Sequence, residues 1–570
     1  MIEEKLELIR PGQIRTRYSP SPTGALHLGG VRTALFNFLF ARKNLGKFIL
    51  RIEDTDVERS KKQYEKGILE SLKWLSINWD EGPIAVAQNQ KSKIKNQKFI
   101  GEYGPYRQSE RLDIYTKYLK KLLNEDKVYY CFCSKEDLEA EKQYQISIGI
   151  APHYSGKCAD LAKSTVKKYL KKKKPATIRL RVPLKIIEFE DEIRGKIKFD
   201  SSLMGDIIIA KDFTHPLYNF ACAIDDYEMK ITNVIRGEDI LSNTPKQILL
   251  QEILGFPHPK YAHIPLIFGT DGSKLSKRHG AKSILEYKKE GYLPEAIVNF
   301  IAFLGWNPGD EREIFSLNAL IRDFSLKKIQ KAPAIFNPTK LDFLNGFYIR
   351  QKPIEKLTNL CLPYLIADDL ITAVFKTRQY PPAYGGIEIS QKYKISQTKE
   401  EISFDFLKKI IAVEQERLKK ISEITELADF FFKNKLNYEK KLLQWKNMSD
   451  KEIKSSFDRI IKTLSKIKDE DFNRETLEKI LLPEAEKFAK EIGRVGDLSA
   501  DSAFVAEATS AKEAALAKAD RGYLLWPFRV ALTGKKATAG PFEIAEILGK
   551  KKVLKRIIRA HNILCARPST

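Results

Sequence analysis

At 570 residues the chain is long enough for several domains, each able to bury its own core. Its 99 Lys and Arg against 74 Asp and Glu leave a formal charge of +25, which points to a polyanionic partner or surface. No apolar run approaches bilayer-spanning length, the opening Met-Ile-Glu-Glu-Lys lacks the apolar core of a secretory signal, and six scattered cysteines form no disulfide framework. The expectation is a cytoplasmic protein in a reduced compartment that handles nucleic acid and has no membrane segment.

In chain order, residues 13–18 read as a strand. They lead into Ser-Pro-Ser-Pro-Thr-Gly-Ala-Leu-His-Leu-Gly-Gly (19–30) and then a helix with Val31, Ala34, Leu35, Phe38 and Leu39 on one face. Strand, Gly/Pro turn and helix make the frame in which backbone N–H groups and a helix N-terminus receive phosphate. Gly24, Gly29 and Gly30 would let a nucleotide approach the backbone, and His27 could donate to a phosphate oxygen. Residues 48–53 read as a buried strand, and Asp54 or Thr55 as the cap of a helix with Ile68, Leu72 and Leu75 inward. That alternation predicts a parallel, doubly wound sheet. Residues 88–103 read as a solvated loop. A cysteine-bearing, lysine-rich and then β-leaning stretch, 116–215, interrupts the sheet, which resumes near Leu217.

A short apolar strand at 264–268 then delivers Lys274-Leu-Ser-Lys-Arg278, flanked by Gly272 and Gly280. Point-charge lysines between glycines suit a loop that closes over a triphosphate. Alone it would pass for a solvated basic loop, but paired with the 19–30 turn it completes a nucleotide-activating site. Beyond residue 350 the pattern is helical. Leu407, Ile410, Ile411, Leu418 and Ile421 form one stripe, and Ile453, Phe457, Ile460, Ile461 and Leu464 another, both read as core. The Ala-rich 497–520 reads as an inserted hairpin or loop, and no internal repeat is visible. Cys131, Cys133 and Cys158, with His153 and Tyr154 close by, have the spacing of a structural zinc site; the alternative is three free thiols. Cys222, Cys361 and Cys565 read as packing residues.

These motifs resemble the class I aminoacyl-tRNA synthetases, and within them the bacterial-type glutamyl-tRNA synthetases. The resemblance rests on His-Leu-Gly-Gly and Lys-Leu-Ser-Lys-Arg, on Arg51-Ile-Glu-Asp-Thr-Asp56, and on Gly104-Pro-Tyr-Arg-Gln-Ser-Glu110. Ile235-Arg-Gly-Glu-Asp239, Asn243-Thr-Pro-Lys-Gln247 and Phe336-Asn-Pro-Thr-Lys-Leu-Asp342 extend it. It is dense over 15–350, faint over 365–520, and returns at 524–534 and 540–543.

The resemblance implies an α/β fold: a Rossmann-type parallel sheet with an inserted acceptor-binding domain, followed by an all-α anticodon-binding region. The implied divisions are 1–115 and 216–290 for the two Rossmann halves, 116–215 for the insertion, 291–350 for a stem-contact region and 351–570 for the helical region. The implied reaction is ATP-dependent activation of L-glutamate and its transfer to the 3′ end of tRNA(Glu), and of tRNA(Gln) in a non-discriminating enzyme. His27, Lys274 and Lys277 would be catalytic, and Thr23, Gly24, Gly29, Gly30 and Ser276 would join them in binding ATP with Mg²⁺. Arg17, Ser21, Glu53, Tyr218 and Arg236 would hold glutamate, because a planar arginine fork matches a carboxylate. Some family members bind zinc in the insertion with a histidine two residues after the last cysteine. Here Asp160 stands there, so Tyr154 or His153 would supply the fourth ligand. The implied state is a monomer. A glutaminyl-tRNA synthetase and a catalytically silent tRNA-binding paralogue are the alternatives.

Overall fold

The computed structural model describes residues 13–56, 58–84, 98–275, 282–374, 392–492 and 521–565. The chain divides into two compact units, 1–344 and 345–570. The first unit opens with β1 (Arg15–Tyr18), α1 (Leu28–Lys43) and β2 (Lys47–Leu50), the two strands pairing in parallel from Arg15 opposite Lys47 to Tyr18 opposite Leu50. Helix α1 is apolar on nearly every face, and Leu28, Val31, Ala34, Leu35 and Leu39 have no solvent exposure. It is therefore a central helix, more enclosed than the one-sided stripe in its sequence predicted. α2 (Lys62–Trp74) buries Ile68 and Leu72, and Leu75 just beyond it is buried as well. Its N-cap is Lys61 and makes no side-chain cap bond, so the expected cap by Asp54 or Thr55 is not made. Asp54 lies too far upstream, and its carboxylate instead accepts from the Ser109 backbone N–H (2.8 Å) and hydroxyl (2.6 Å).

After α3 (Leu112–Asn124) come β3 (Val128–Cys131), α4 (Lys135–Ser147), α5 (Lys163–Lys171), β4 (Thr177–Leu180), β5 (Ile186–Asp191), β6 (Gly195–Asp200) and β7 (Ile208–Ala210). Strands β3, β4 and β7 form a small antiparallel sheet, the body of the insertion. The hairpin β5–β6 does not stay with it. It joins the edge of the main sheet, where Asp191 pairs with Tyr261, so the insertion expected over 116–215 returns two strands to the central sheet.

The main sheet is completed by α6 (Tyr218–Glu228), β8 (Asn233–Gly237), α7 (Thr244–Leu254) and β9 (Lys260–Ile264), giving the order β2-β1-β8-β9-β5-β6. All of its pairs are parallel except the terminal hairpin. Near-continuous burial of β1, β2, β8 and β9 matches a sheet covered on both faces. The chain leaves β1 towards β2 on one side and later returns as β8 on the other. The crevice beyond the carboxyl ends of β1 and β8 is therefore a topological switch point, where open α/β sheets place their ligands.

The first unit closes with α8 (Ile284–Lys289), α9 (Pro294–Ala302) and α10 (Leu317–Asp323), and the division between the units falls within α11 (Pro338–Arg350). The second unit is mainly helical: α12 (Ile354–Ala367), α13 (Phe404–Glu414), α14 (Ile424–Phe432), α15 (Asp450–Ser465), α16 (Arg474–Glu491), α17 (Gly522–Thr533), α18 (Pro541–Leu548) and α19 (Lys550–Cys565). Of the predicted stripe residues, Leu407, Ile410, Ile411, Leu418, Ile421, Ile453, Phe457, Ile460 and Leu464 are buried, whereas Ile461, also expected in the core, is only half-buried. The region is not all-α, however. Residues Ile371–Ala373, Lys392–Ile395 and Glu401–Ser403 form a three-stranded antiparallel sheet, too short to register against the helical pattern around it. The Ala-rich 497–520 lies outside the described residues, as does most of 88–103.

Candidate active site

The turn after β1 is tied down by the backbone. Arg51 N–H donates to Tyr18 O, Glu53 N–H to Pro20 O and Lys61 N–H to Pro22 O, which sets residues 19–23 beside the Arg51–Asp56 motif. Thr23 and Gly24 are exposed, and nothing lies within 4 Å of a Cβ built on Gly24, so a ligand could pass there. Gly30 is constrained differently: a Cβ would sit 2.8 Å from Leu26 and from the Tyr18 hydroxyl, so it serves packing as well as access. His27 is the N-cap of α1, its Nδ1 accepting from Gly30 N–H at 3.4 Å. That bond assigns the neutral-ring proton to Nε2, which is left as a donor. Desolvation and, next, the charge of Lys274 hold this imidazole below its ordinary pKa, against the pull of Asp239.

The two segments expected to handle phosphate lie close enough for the Lys274 charge to act on His27. Lys274 Nζ is 3.8 Å from Asp239, both exposed, and His27 forms an isolated bridge with Ser283 just after the second segment. So loose an exposed pair tethers the lysine weakly and leaves it free to turn to a more highly charged partner. Ser276 and Lys277 lie outside the described residues.

At the switch point the amino-acid residues converge. The electrostatic neighbours of Tyr218, first residue of α6, include Glu53, Arg236 and Arg17; burial, above all, raises its pKa. Ser21 is exposed in the turn above. The two arginines differ in how their charge is met. Arg17 forms a fork with Asp226 (Nε–Oδ1 3.1 Å, Nη2–Oδ2 3.4 Å), and Arg51 Nη1 lies 2.7 Å from the same carboxylate. Burial opposes the Asp226 charge, yet Arg17 and Arg51 hold its pKa below the usual range. Among the described residues Arg236 meets only neutral acceptors: Nε–H to His263 Nε2 (3.1 Å), Nη1 to Gln247 Oε1 (2.8 Å) and Nη2 to Thr244 Oγ1 (2.7 Å). Glu53 accepts from Arg51 Nη2 at 3.0 Å, but burial outweighs that contact and its pKa is raised. Among the described residues the pocket thus holds a buried guanidinium without a carboxylate partner and a buried carboxylate that gains from a further cation.

Sequence reasoning missed the layer beneath. Asp225 takes Arg111 Nε (2.7 Å), Gln108 Nε2 (2.8 Å) and the Tyr115 hydroxyl (2.8 Å), so the Gly104–Glu110 motif supplies Gln108, Arg111 follows it directly and α3 supplies Tyr115. Cys222 is no plain packing residue. Its Sγ lies 3.5 Å from Arg51 Nη2 and 3.8 Å from Asp226, and burial pushes the thiol up to about 12. The signal was adjacent aspartates, Asp225-Asp226, in the otherwise apolar α6, since paired carboxylates on a buried helix demand arginines.

In the insertion the Sγ atoms of Cys131, Cys133 and Cys158 lie within 4.8 Å of one another. The Tyr154 hydroxyl is 3.5 Å from Cys131 Sγ and from Cys133 Sγ, whereas the half-buried His153 ring turns to Ala151 O. Burial raises the Cys131 thiol, but Tyr154, the Cys133 backbone and Arg179 outweigh it and hold the pKa at about 7. Cys133 is raised to about 11, chiefly by burial. Cys361 is buried without such partners, and the Cys565 side chain lies outside those described.

Comparison with known proteins covers most of the chain. Residues 13–343 match the family of class I tRNA synthetases (E and Q), catalytic domain, and residues 356–499 and 495–561 match an anticodon binding domain. A glutamate–tRNA ligase of Carboxydothermus hydrogenoformans is 41% identical over 552 residues, 96% of this chain and 100% of its own. A second, from Thermoanaerobacter pseudethanolicus, is 40% identical over 549 residues, 96% of this chain and 98% of its own. Among solved structures, a glutamate tRNA ligase of Elizabethkingia meningosepticum in complex with its amino acid gives a TM-score of 0.76 at 30% identity, covering 97% of this chain and 100% of that one.

Proposed function

We infer the reaction from the family: the chain belongs to the class I tRNA synthetases for glutamate and glutamine, and it is a glutamate–tRNA ligase. It joins L-glutamate to tRNA(Glu) in two steps, with release of pyrophosphate and AMP. The observation that carries the choice of glutamate is Arg236, a buried positive charge held, among the described residues, only by neutral groups at the switch point. A γ-carboxylate supplies the missing negative charge, whereas the amide of glutamine would leave it buried and uncompensated.

In the first step the substrate α-carboxylate, already ionised, attacks the α-phosphorus of MgATP, so no catalytic base is needed. Positioning and charge stabilisation carry the rate. Glu53 receives the α-ammonium, the cation its own environment lacks, with Ser21 near the α-carboxylate and Tyr218 beside the side chain. His27 donates from Nε2 to phosphate oxygen, and Lys274 and Lys277 offset the charge that builds as pyrophosphate leaves. Thr23, Gly24, Gly29, Gly30 and Ser276 line the nucleotide. In the second step the terminal ribose hydroxyl of the tRNA attacks the acyl-adenylate.

The three cysteines and the Tyr154 phenol give a sulfur-rich donor set of the size zinc takes in structural sites, and the depressed Cys131 thiol suits a metal-bound thiolate. Zinc there would clip β3 to the 154–158 segment and supply no chemistry. We extend the reading to a monomeric, cytoplasmic enzyme with tRNA(Gln) as a second substrate in a non-discriminating form, residues 116–215 at the acceptor end and 291–350 at the stem. Pyrophosphate exchange with glutamate, ATP and tRNA, repeated with glutamine, tests the assignment. Exchange that depends on glutamate alone supports it, and equal or greater exchange with glutamine overturns it.

A further inference from the structure

Arg236 is held by a chain of groups that starts at a different strand. On β9, directly opposite Arg236 in the parallel register, stands His263, wholly buried. Its Nδ1 is 2.6 Å from Asp191 Oδ2 at the end of β5, while Asp191 Oδ1 accepts the backbone N–H groups of Ile193 (3.0 Å), Arg194 (2.8 Å) and His263 itself (3.2 Å). A carboxylate can only accept, so the imidazole carries its proton on Nδ1 and presents a lone pair at Nε2. Arg236 Nε–H donates to that lone pair at 3.1 Å, and the Thr244 hydroxyl stands 3.0 Å from the same nitrogen.

We propose that His263, with its tautomer fixed by Asp191, is a positioning residue for amino-acid selection: it holds the Arg236 fork in place without cancelling its charge. The inference rests on the glutamate-ligase reading and deepens it. Arg17 shows what direct pairing does: its fork is closed by Asp226 and its charge is met inside the protein. Interposing a neutral imidazole between Asp191 and Arg236 separates orientation from neutralisation. Three of the five N–H donors of Arg236 are used, all on neutral acceptors, which leaves two for an incoming carboxylate among the described residues. The hairpin β5–β6 joins the main sheet at the position that delivers Asp191, so its departure from the insertion serves this site.

The test exploits the tautomer. In Asp191→Asn the oxygen stays with the three backbone donors and the amide N–H turns to His263 Nδ1, which must then accept. The ring proton moves to Nε2, where it opposes Arg236 Nε–H across the same 3.1 Å. The expected result is a glutamate KM at least tenfold higher, with the ATP KM within twofold of the wild type. His263→Gln, which keeps an acceptor near the Nε2 position, should stay within threefold for glutamate, while His263→Leu should match Asp191→Asn. A glutamate KM within twofold of the wild type in folded Asp191→Asn overturns the inference, as does a parallel rise in both KM values with falling kcat, the signature of a merely structural role. If Asp191→Asn does not fold, His263→Gln against His263→Leu decides, and equal glutamate KM values overturn it. Wild-type protein that activates no glutamate would overturn the functional reading instead, which keeps the two failures distinct.

Discussion

Asp226 is shared between Arg17 and Arg51, and both guanidiniums and the carboxylate are essentially buried. Removing the charge in Asp226→Asn leaves two arginines without it, a change expected to cost about 3–5 kcal/mol, read as a lower urea midpoint. The pH dependence follows from the direction of the shift. Asp226 is held below the ordinary carboxylate pKa of about 3.9, so its contribution is complete above that value and is lost as pH falls through the folded-state value. Acid unfolding of the wild type should therefore begin below about pH 4, and Asp226→Asn should blunt that limb of the curve. His27, the N-cap of α1, is proposed to act in catalysis as well. With Nδ1 taken by Gly30 N–H, the proposed role leaves Nε2 to donate to charge that grows in the transition state. His27→Ala should lower the adenylation rate on the order of a hundredfold, about 3 kcal/mol, with tRNA affinity unchanged; a rate within twofold of wild type, measured by pyrophosphate exchange, contradicts the role.

Among the elements, α8 ties the chain just after the second segment proposed to handle phosphate to the turn that carries His27. Ser283 and Glu286 cap its start reciprocally, Ile284 N–H donates to Leu26 O, and Ser283 bridges to His27. Ser283→Ala should cost about 1 kcal/mol of stability. Because the cap stands against the turn that carries His27, kcat should fall several-fold at constant glutamate KM; equal losses in both would make the cap purely structural. In the insertion, purified protein should contain near-stoichiometric zinc, and Cys133→Ser should lose it and loosen the 154–158 segment to proteolysis. Metal-free, fully active protein refutes the site. These elements also mark how far the sequence could be read. The strand–turn–helix frame, the buried stripes and the convergence of Arg17, Glu53, Tyr218 and Arg236 were legible, because each depends on local pattern or on a motif that stays together in the chain. The return of β5–β6 to the main sheet rests on one parallel register pair, and the bond from His263 to Asp191 joins residues 72 apart. Neither leaves a local trace. The three short strands between 371 and 403 were lost for a related reason, since strands of three or four residues carry too few alternations to stand out.

The whole molecule has two compact units, and the functional site described here draws every residue from the first. Its second unit matches an anticodon binding domain over most of its length, residues 356–499 and 495–561. Its sequence is rich in Lys and Arg in a chain of net charge +25, so it should supply phosphate contacts that bind tRNA with strong salt dependence and little sequence choice. Choice among tRNAs must come from side chains that stack on, or bond to the edges of, unpaired anticodon bases. A chain ending at Arg350 is expected to keep residual adenylate formation while losing discrimination between cognate and anticodon-swapped tRNA. It should also lose much of the slope of log affinity against log salt, because phosphate contacts go with the helices. Charging assays with the two tRNAs and binding measured across a salt series check both parts. If the intact enzyme charges both tRNAs equally, the second unit is not the reader. An unchanged salt slope after truncation would instead place the phosphate contacts on the catalytic unit, and the basic charge of the helical half would need another partner.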